Sequence, residues 1–250
     1  MTYLAKLIAF VSGRHRIATG RAAGLKIAAQ HARAFAGGTY EKPIQDAIAD
    51  NLAAGDVFYD IGANVGFFSL IAARRVGDRG RVYAFEPVPQ NAAAIKRSAT
   101  LNQFQVIEVF AVAVAAETGQ SELLLARCPG GASLASADTP PDLVGKMTVN
   151  VVNVDGVIEE RGLAAPTLVK IDVEGAEIDV LRGMAHTLRD CRPTIIYEID
   201  DESLSGLEKK AVEIAEFLKG FTYELTVLPE AYNIPNWHIR HVLATPSQSH

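Results

Sequence analysis

The feature that most constrains the fold is a glycine-containing segment, Asp60-Ile61-Gly62-Ala63-Asn64-Val65-Gly66. It follows an apolar run at residues 57–61, predicted as a short strand, and precedes a predicted helix over residues 67–75. In an open parallel sheet, the loops that follow the carboxyl ends of strands line the ligand crevice. Glycines there permit a tight turn and a close approach of a ligand to the backbone. The segment therefore predicts an α/β fold with a ligand site at this loop.

Strand and helix patterns alternate along the rest of the chain, which favours a mostly parallel sheet with helices on both faces. Further strands are predicted at residues 81–85, 106–114, 148–154, 167–171 and 194–199, and helices at 40–52, 89–101, from 155, from 175 and at 207–218. Residues 117–125 predict an antiparallel ribbon, and residues 127–142 a long loop. Residues 222–228 and 238–244 predict a C-terminal antiparallel hairpin.

Length and charge indicate how the chain is divided. With 250 residues, of which 49% are hydrophobic, one large domain is expected, and we assign it to residues 39–250. Residues 1–38 are Ala-rich with apolar residues at helical spacing, which predicts a basic helical extension. Six basic residues and no acid occur in residues 1–40, although the whole chain has a net charge of -5. Contact with an anionic membrane or acceptor, and a cap with solvated charges, are both open interpretations.

Hydropathy, cysteine content and charge limit the expected cellular location and binding partners. No apolar run reaches the roughly 18 residues that a membrane span needs. Cys128 and Cys191 lie far apart and outside any CxxC pair, so neither a disulfide framework nor a zinc site is indicated. We therefore expect a cytoplasmic protein with no transmembrane segment. The acidic main part of the chain also argues against a nucleic-acid partner. The oligomeric state stays open.

The glycine segment does not fit a dinucleotide. The pattern Gly-x-Gly-x-x-Gly needs a second glycine where Asn64 stands, and its third glycine comes too early, at Gly66. Twenty residues after Gly66, the strand at 81–85 is followed by Glu86, whose carboxylate can accept both hydroxyls of a ribose. An adenosine-containing ligand other than NAD is favoured. Two alternatives remain: the glycine segment is needed only for the geometry of the turn, and Glu86 is a surface acid at the end of a strand.

Several motifs in order resemble the FkbM-type methyltransferase family, from about residue 40 to 243. They are residues 55–66, 82–87, 168–177, 180–183 and 192–198. The resemblance implies a Rossmann-like class I methyltransferase fold, S-adenosylmethionine as methyl donor, and a hydroxyl of a sugar or natural-product small molecule as acceptor. Carried over by position, Asp60, Gly62, Ala63, Asn64 and Gly66 would hold the methionine part, Glu86 the ribose, and Ala111 and Val112 would lie near the adenine.

Acids at the ends of the strands predicted at 167–171 and 194–199 are the candidates for proton removal from the acceptor. Asp172, Glu174 and Glu198 are each expected to face the crevice, where any of them is a candidate general base. For the first two, the alternative is to complement the dipole of a helix opened by Gly175. Lys170 is expected to be structural or an acid partner. Three acids also offer the oxygen ligands that Mg²⁺ prefers, but no dedicated metal motif is present, so a metal is expected to be optional.

Two weaker features and two other functions complete the predictions. His238, beside Trp237, is a candidate acceptor contact or base, with a structural role as the alternative. Residues 130–133 form a candidate lid over the donor. A scaffold that binds the cofactor without catalysis is a competing function, and a nucleic-acid methyltransferase is less favoured because the main part of the chain is acidic.

Overall fold

A mostly parallel sheet forms the centre of the protein in this computed structural model, which describes residues 14–28, 33–126, 132–135, 137, 143–231 and 237–247. The strands are β1 (Arg14–Arg16), β2 (Lys26–Ala28), β3 (Val57–Ile61), β4 (Arg81–Phe85), β5 (Ile107–Phe110), β6 (Ala113–Val114), β7 (Gly119–Ala126), β8 (Ser133–Leu134), β9 (Leu143–Val152), β10 (Leu168–Ile171), β11 (Thr194–Asp201), β12 (Tyr223–Val227) and β13 (His238–Pro246). The helices are α1 (Arg33–Ala36), α2 (Lys42–Asp50), α3 (Phe67–Val76), α4 (Pro89–Asn102), α5 (Val154–Arg161), α6 (Glu177–Arg182), α7 (Ala185–Asp190) and α8 (Leu204–Lys219).

The order of strands in the central sheet is β12-β13-β11-β10-β3-β4-β5. The five strands from β11 to β5 are parallel, whereas β13 pairs antiparallel with both β11 and β12. This arrangement confirms the predicted α/β fold and its C-terminal antiparallel hairpin. The carboxyl ends of β3, β4, β10 and β11 meet at one edge of the sheet, where ligand crevices form in this architecture.

Both faces of the central strands are buried, because successive side chains of a strand point to opposite faces and helices cover each face. Phe58, Val82 and Leu168 belong to the core beneath α2 and α3. Tyr59 and Val169 belong to the core that α6 and α8 cover. Such strands have near-continuous apolar sequences, which is why sequence patterns located them well.

The predicted helices of the N-terminal part are wrong for residues 14–28, which form the antiparallel pair β1 and β2. Gly20 and Gly24 have positive φ angles in the connecting turns, and Ile17 and Ile27 are buried in the same core as α2 and α3. Arg21 pairs with two aspartates of α2, at 2.7 and 3.1 Å. Part of the predicted basic arm is therefore engaged within the fold, while the division at residues 38 and 39 stays a prediction.

A second sheet, β6-β9-β7-β8, extends from the central one. Its antiparallel pair β7–β9 confirms the predicted ribbon. The strand predicted over residues 106–114 is instead two strands in different sheets, since the chain leaves the central sheet after Phe110. Ser133 belongs to β8 in this sheet, whereas Cys128 and residues 130 and 131 of the predicted lid lie outside the described residues.

The helix predicted from residue 175 is divided into α6 and α7. The division falls at Gly183, where an added Cβ would lie 2.3 Å from the carbonyl oxygen of Ala115. Close packing of two backbones therefore interrupts the helix at a residue that has no side chain. In the part of the chain that the structure describes, no helix is long and apolar enough to cross a membrane.

Candidate active site

The loop between β3 and α3 lies at the crevice edge and has an unusual backbone. Gly62, Asn64 and Gly66 have positive φ angles of 78°, 49° and 84°. A Cβ on Gly62 would lie 1.8 Å from the carbonyl oxygen of Asp172, at the end of β10. The glycine is therefore required by contact between the two strand-end loops, in addition to any ligand. Asparagine tolerates the left-handed conformation better than most residues, which explains its place at position 64.

The carboxylate of Glu86, at the end of β4, faces this loop. It accepts the backbone N–H of Asn64 at 2.8 Å and that of Val88 at 2.9 Å, and the side-chain amide of Asn91 lies at 3.3 Å. Glu86 is 5% exposed, and burial raises its pKa to about 7 although these hydrogen bonds oppose the shift. Two backbone donors thus fix the carboxylate beside the glycine loop.

Asp60 lies beneath the loop and is 1% exposed. The hydroxyl of Ser69, on α3, donates to its Oδ2 at 2.5 Å. Its Oδ1 is buried and has no hydrogen-bond partner among the described residues. Burial raises the pKa of Asp60, and the positive charge of Lys170 opposes this shift. An acceptor oxygen that is buried beneath the glycine loop therefore has no hydrogen-bond partner among the described residues.

Lys170 forms a buried ion pair with Asp172, whose Oδ2 lies 2.8 Å from its Nζ. Its ammonium also lies 4.9 Å from the centre of the Phe68 ring. Burial lowers the pKa of Lys170, but the charges of Asp172, Asp60 and Glu41 outweigh this effect and raise it overall. The sequence-based expectation that Lys170 partners an acid is confirmed.

Glu177, which sequence analysis did not select, satisfies the backbone at the start of α6. Its Oε1 accepts the N–H of Gly175 at 3.0 Å and that of Val173 at 3.4 Å. The N-cap residue, Ala176, has no side-chain capping bond. Burial raises the pKa of Glu177 to about 7. The side chains of Asp172 and Glu174 are accordingly not the capping groups of this helix.

Glu174 is half-buried and has a left-handed backbone, with φ of 54°. Burial raises its pKa well above the ordinary value, and the charges of Asp172, Asp200 and Glu198 add to the effect. These interactions place Glu174 within a group of acids at the ends of β10 and β11. The structure thus brings the three predicted catalytic acids into one neighbourhood.

Glu198 faces His241 across the pair β11–β13, where the two residues are register partners. The Nε2 of His241 lies 2.5 Å from Oε2 of Glu198 and 3.7 Å from Oε2 of Glu41. Burial lowers the pKa of His241 despite the charges of Glu41 and Asp172. Burial and the charges of Asp172 and Glu198 raise the pKa of Glu41 to about 7.

The histidine proposed from sequence, His238, lies on the opposite face of β13 from His241, because three residues separate them and side chains alternate along a strand. His238 lies on the same face of β13 as Arg240, and Arg240 pairs with Glu208 on α8. Trp237 lies on the His241 face, and its indole donates to Asp200 at 2.7 Å. Sequence analysis missed His241 because only strand register indicates that it opposes Glu198.

Ala111 and Val112 follow β5 at the same edge of the sheet. The backbone N–H of Glu86 donates to the carbonyl of Phe110, the last residue of β5, at 3.0 Å. Ala111 and Val112 therefore follow directly after the residue that pairs with Glu86. Ala111 is exposed and Val112 is half-buried. Their contact with an adenine stays a prediction.

Strand order, glycine loop and acidic strand end together define a Rossmann-like fold, which solved methyltransferase structures share. Residues 60–225 match the model of the Methyltransferase FkbM domain, and the chain belongs to this family. Relatives include the hexuronic acid methyltransferase AglP of Haloferax volcanii, 26% identical over 63% of this chain and 59% of the relative. The 31-O-demethyl-FK506 methyltransferase FkbM of Streptomyces tacrolimicus is 34% identical over 53% of this chain and 61% of the relative. The matches thus span about three fifths of these relatives.

Solved structures share the fold at low sequence identity. Methyltransferase FkbM of Methylobacillus flagellatus aligns over 76% of this chain and 43% of its own, with a TM-score of 0.51 and 19% identity. Trm5b of Pyrococcus abyssi aligns over 89% of this chain and 53% of its own, with a TM-score of 0.55 and 12% identity. These likenesses concern the fold alone.

Proposed function

We propose that this protein is an S-adenosylmethionine-dependent O-methyltransferase that acts on a hydroxyl of a sugar or natural-product small molecule. The observation that carries the proposal is the buried carboxylate of Glu86, fixed beside the glycine loop by the N–H groups of Asn64 and Val88. Each carboxylate oxygen has more than one acceptor site, so oxygens that already accept an N–H retain capacity for ribose hydroxyls.

The remaining groups of the crevice fit the methionine part of the donor better than a pyrophosphate. The buried Oδ1 of Asp60 has no hydrogen-bond partner among the described residues and suits the ammonium group of an amino acid. Asp172, Glu174 and Glu198 add negative charge nearby. An acidic crevice repels an anionic pyrophosphate and attracts a sulfonium ion, which supports S-adenosylmethionine over NAD.

The acceptor class is inferred from the names of the relatives. One is named for a hexuronic acid and another for the 31-O-demethyl form of FK506. The second name places the methyl group on an oxygen, and a hexuronic acid also offers oxygen acceptors. Glu174 lies close to Asp172 and Glu198 at this edge of the sheet, and carboxylates accept hydrogen bonds from hydroxyl groups.

S-adenosylmethionine supplies an electrophilic methyl group, which the acceptor oxygen attacks as the carbon–sulfur bond breaks and its electron pair stays on sulfur. Glu174 takes the hydroxyl proton in our proposal, because it lies among the acids at the ends of β10 and β11, where burial and the charge of Asp172 raise its pKa. The ion pair with Lys170 fixes Asp172 as a positioning group. Alignment of donor and acceptor supplies much of the remaining rate.

The proposal is tested with methyl-labelled S-adenosylmethionine and a panel of sugar and natural-product hydroxyl acceptors. We expect an ether product, and a loss of kcat of about 10²–10⁴-fold in Glu174→Gln with little change in donor affinity. Glu117→Gln, at an exposed position in the same chain, is the matched control. Donor binding without transfer to any acceptor would favour the non-catalytic scaffold, and unchanged kcat in Glu174→Gln would remove its role as base.

A further inference from the structure

Three side chains with metal-binding atoms converge where β11, β13 and the start of α2 meet. One ligand atom each from Glu41, Glu198 and His241 lies within 4.8 Å of the others. The Nε2 of His241 is 2.5 Å from Glu198 and 3.7 Å from Glu41. Two carboxylates and one imidazole thus share a space of the size that a single cation occupies.

Separate elements hold the three groups in place. Glu198 and His241 are opposite each other in the pair β11–β13, so the sheet fixes their separation. Glu41 immediately precedes α2, which packs on β11 and carries the buried residues Ile44 and Ile48. Its side chain therefore approaches the sheet from the helix layer above. The three groups come from two layers of the fold and enclose the space between them.

The carboxylate of Glu41 is the observation that points to a bound cation. The residue is 3% exposed, and both carboxylate oxygens are buried without a hydrogen bond of normal geometry among the described residues. The side chain of Tyr40 contributes a hydrogen bond that lowers the pKa of Glu41, but a buried carboxylate with so few hydrogen bonds carries a large desolvation cost unless a positive charge compensates it. The charge of Lys170 acts on Glu41, but this lysine forms its ion pair with Asp172.

We propose that Glu41, Glu198 and His241 bind a divalent first-row transition-metal ion, of the class of Mn²⁺, Fe²⁺, Co²⁺ or Zn²⁺. Mixed imidazole and carboxylate ligands suit these ions, whereas Mg²⁺ prefers oxygen ligands alone. Two carboxylates balance the charge of one divalent ion. Three protein ligands leave at least one coordination position open, as in catalytic metal sites.

The position of the site suggests what the cation does, and this part of the inference rests on the proposed function. Asp172 lies close enough for its charge to act on both Glu41 and His241, so the cation borders the acids that face the acceptor. An acceptor hydroxyl at the open position would be oriented, and its pKa lowered. The bound cation would therefore favour acceptors that offer a hydroxyl group.

The experiment titrates the chelator-treated, 250-residue protein with Co²⁺ and follows its visible absorption, with Zn²⁺ as competitor. We expect one Co²⁺ per chain in the wild type and at least tenfold weaker binding in Glu41→Gln and in His241→Gln. His238→Gln, on the opposite face of β13, is the matched control and should bind as the wild type does. Calorimetry with S-adenosylhomocysteine on each sample reports whether the fold and the donor site are intact.

The outcomes separate the two proposals. Wild-type protein that binds S-adenosylhomocysteine but no stoichiometric Co²⁺ would overturn the metal site and leave the proposed function standing. Equal Co²⁺ affinity in the wild type and in both ligand variants would overturn it as well. Stoichiometric Co²⁺ that depends on Glu41 and His241 would support the metal site even if no S-adenosylhomocysteine were bound, a result that would contradict the proposed function alone.

Discussion

Part of the pH dependence of the affinity for S-adenosylhomocysteine should come from Glu86. Burial raises the pKa of this carboxylate to about 7 in the free protein. Ribose hydroxyls donate hydrogen bonds, so they favour the ionised, acceptor-only form and lower the pKa in the complex. Binding is therefore coupled to loss of a proton, and affinity should rise as the pH increases toward about 7 and level off above it.

The magnitude follows from the hydrogen bonds that the ligand adds. A hydrogen bond to a charged group contributes about 1.5–3 kcal/mol, and one pKa unit corresponds to about 1.4 kcal/mol. Two ribose hydroxyls that lower the pKa of Glu86 by one to two units should strengthen binding roughly 8- to 25-fold between pH 5.5 and 8.5. In Glu86→Gln the neutral amide cannot titrate, so its affinity should be lower at high pH and should change much less with pH than that of the wild type.

The assay is isothermal titration calorimetry at a series of pH values, with the same ligand and both proteins. Comparison of the two proteins isolates Glu86, because the raised pKa values of Glu41 and Glu177 are common to both. A wild-type affinity that does not change with pH, or an equal slope in Glu86→Gln, would refute the assignment of this carboxylate to the ribose.

Three other variants test the structural account. Gly62→Ala should lose about 3 kcal/mol or more of unfolding free energy, since its Cβ meets the carbonyl of Asp172, whereas Gly55→Ala, also at positive φ but in open space, should lose about 1 kcal/mol. Burial raises the pKa of Glu177 to about 7, so the native state binds more protons than the unfolded state between about pH 4.5 and 7 and stability falls as pH rises through this window. Glu177→Gln should therefore gain about 1–3 kcal/mol at pH 8 and little at pH 4.5. Lys170→Met should lose about 3 kcal/mol, and adding Asp172→Asn should restore part of it.

Chemical denaturation of each variant checks these values. Equal losses in the two glycine variants would show that the contact at Gly62 is not decisive. A constant difference between Glu177→Gln and the wild type at all pH values would contradict the raised pKa. For the buried ion pair, additive losses in the double variant would show that Lys170 and Asp172 do not interact.

Sequence patterns predicted the central sheet well because buried parallel strands and their covering helices have clear apolar signatures. The segment from Asp60 to Gly66 and the acids at positions 86, 172 and 174 also follow from strand ends that patterns can locate, whereas Glu198 lies within β11. Their grouping at one edge is a property of parallel topology, which the alternation of strands and helices already indicates.

The residues and elements that sequence patterns did not predict have one thing in common: each depends on a tertiary contact. His241 becomes part of the site only through its register with Glu198, and Glu41 only through the packing of α2 on β11. Glu177 has an ordinary position in a helix, and its role depends on two loop amides that point back to it. At the N-terminus, apolar residues at helical spacing form a hairpin instead, because they pack on α2 and α4. Local periodicity does not encode any of these contacts.

Binding of S-adenosylmethionine to the glycine loop is the central claim, and calorimetry on wild-type protein with S-adenosylmethionine, S-adenosylhomocysteine and NAD in parallel tests it most directly. The account predicts one site per chain for each of the two sulfur ligands and no measurable binding of NAD. It also predicts that Glu86→Ala weakens the sulfur ligands strongly. Binding of NAD at this site without either sulfur ligand, or full affinity in Glu86→Ala, would contradict it.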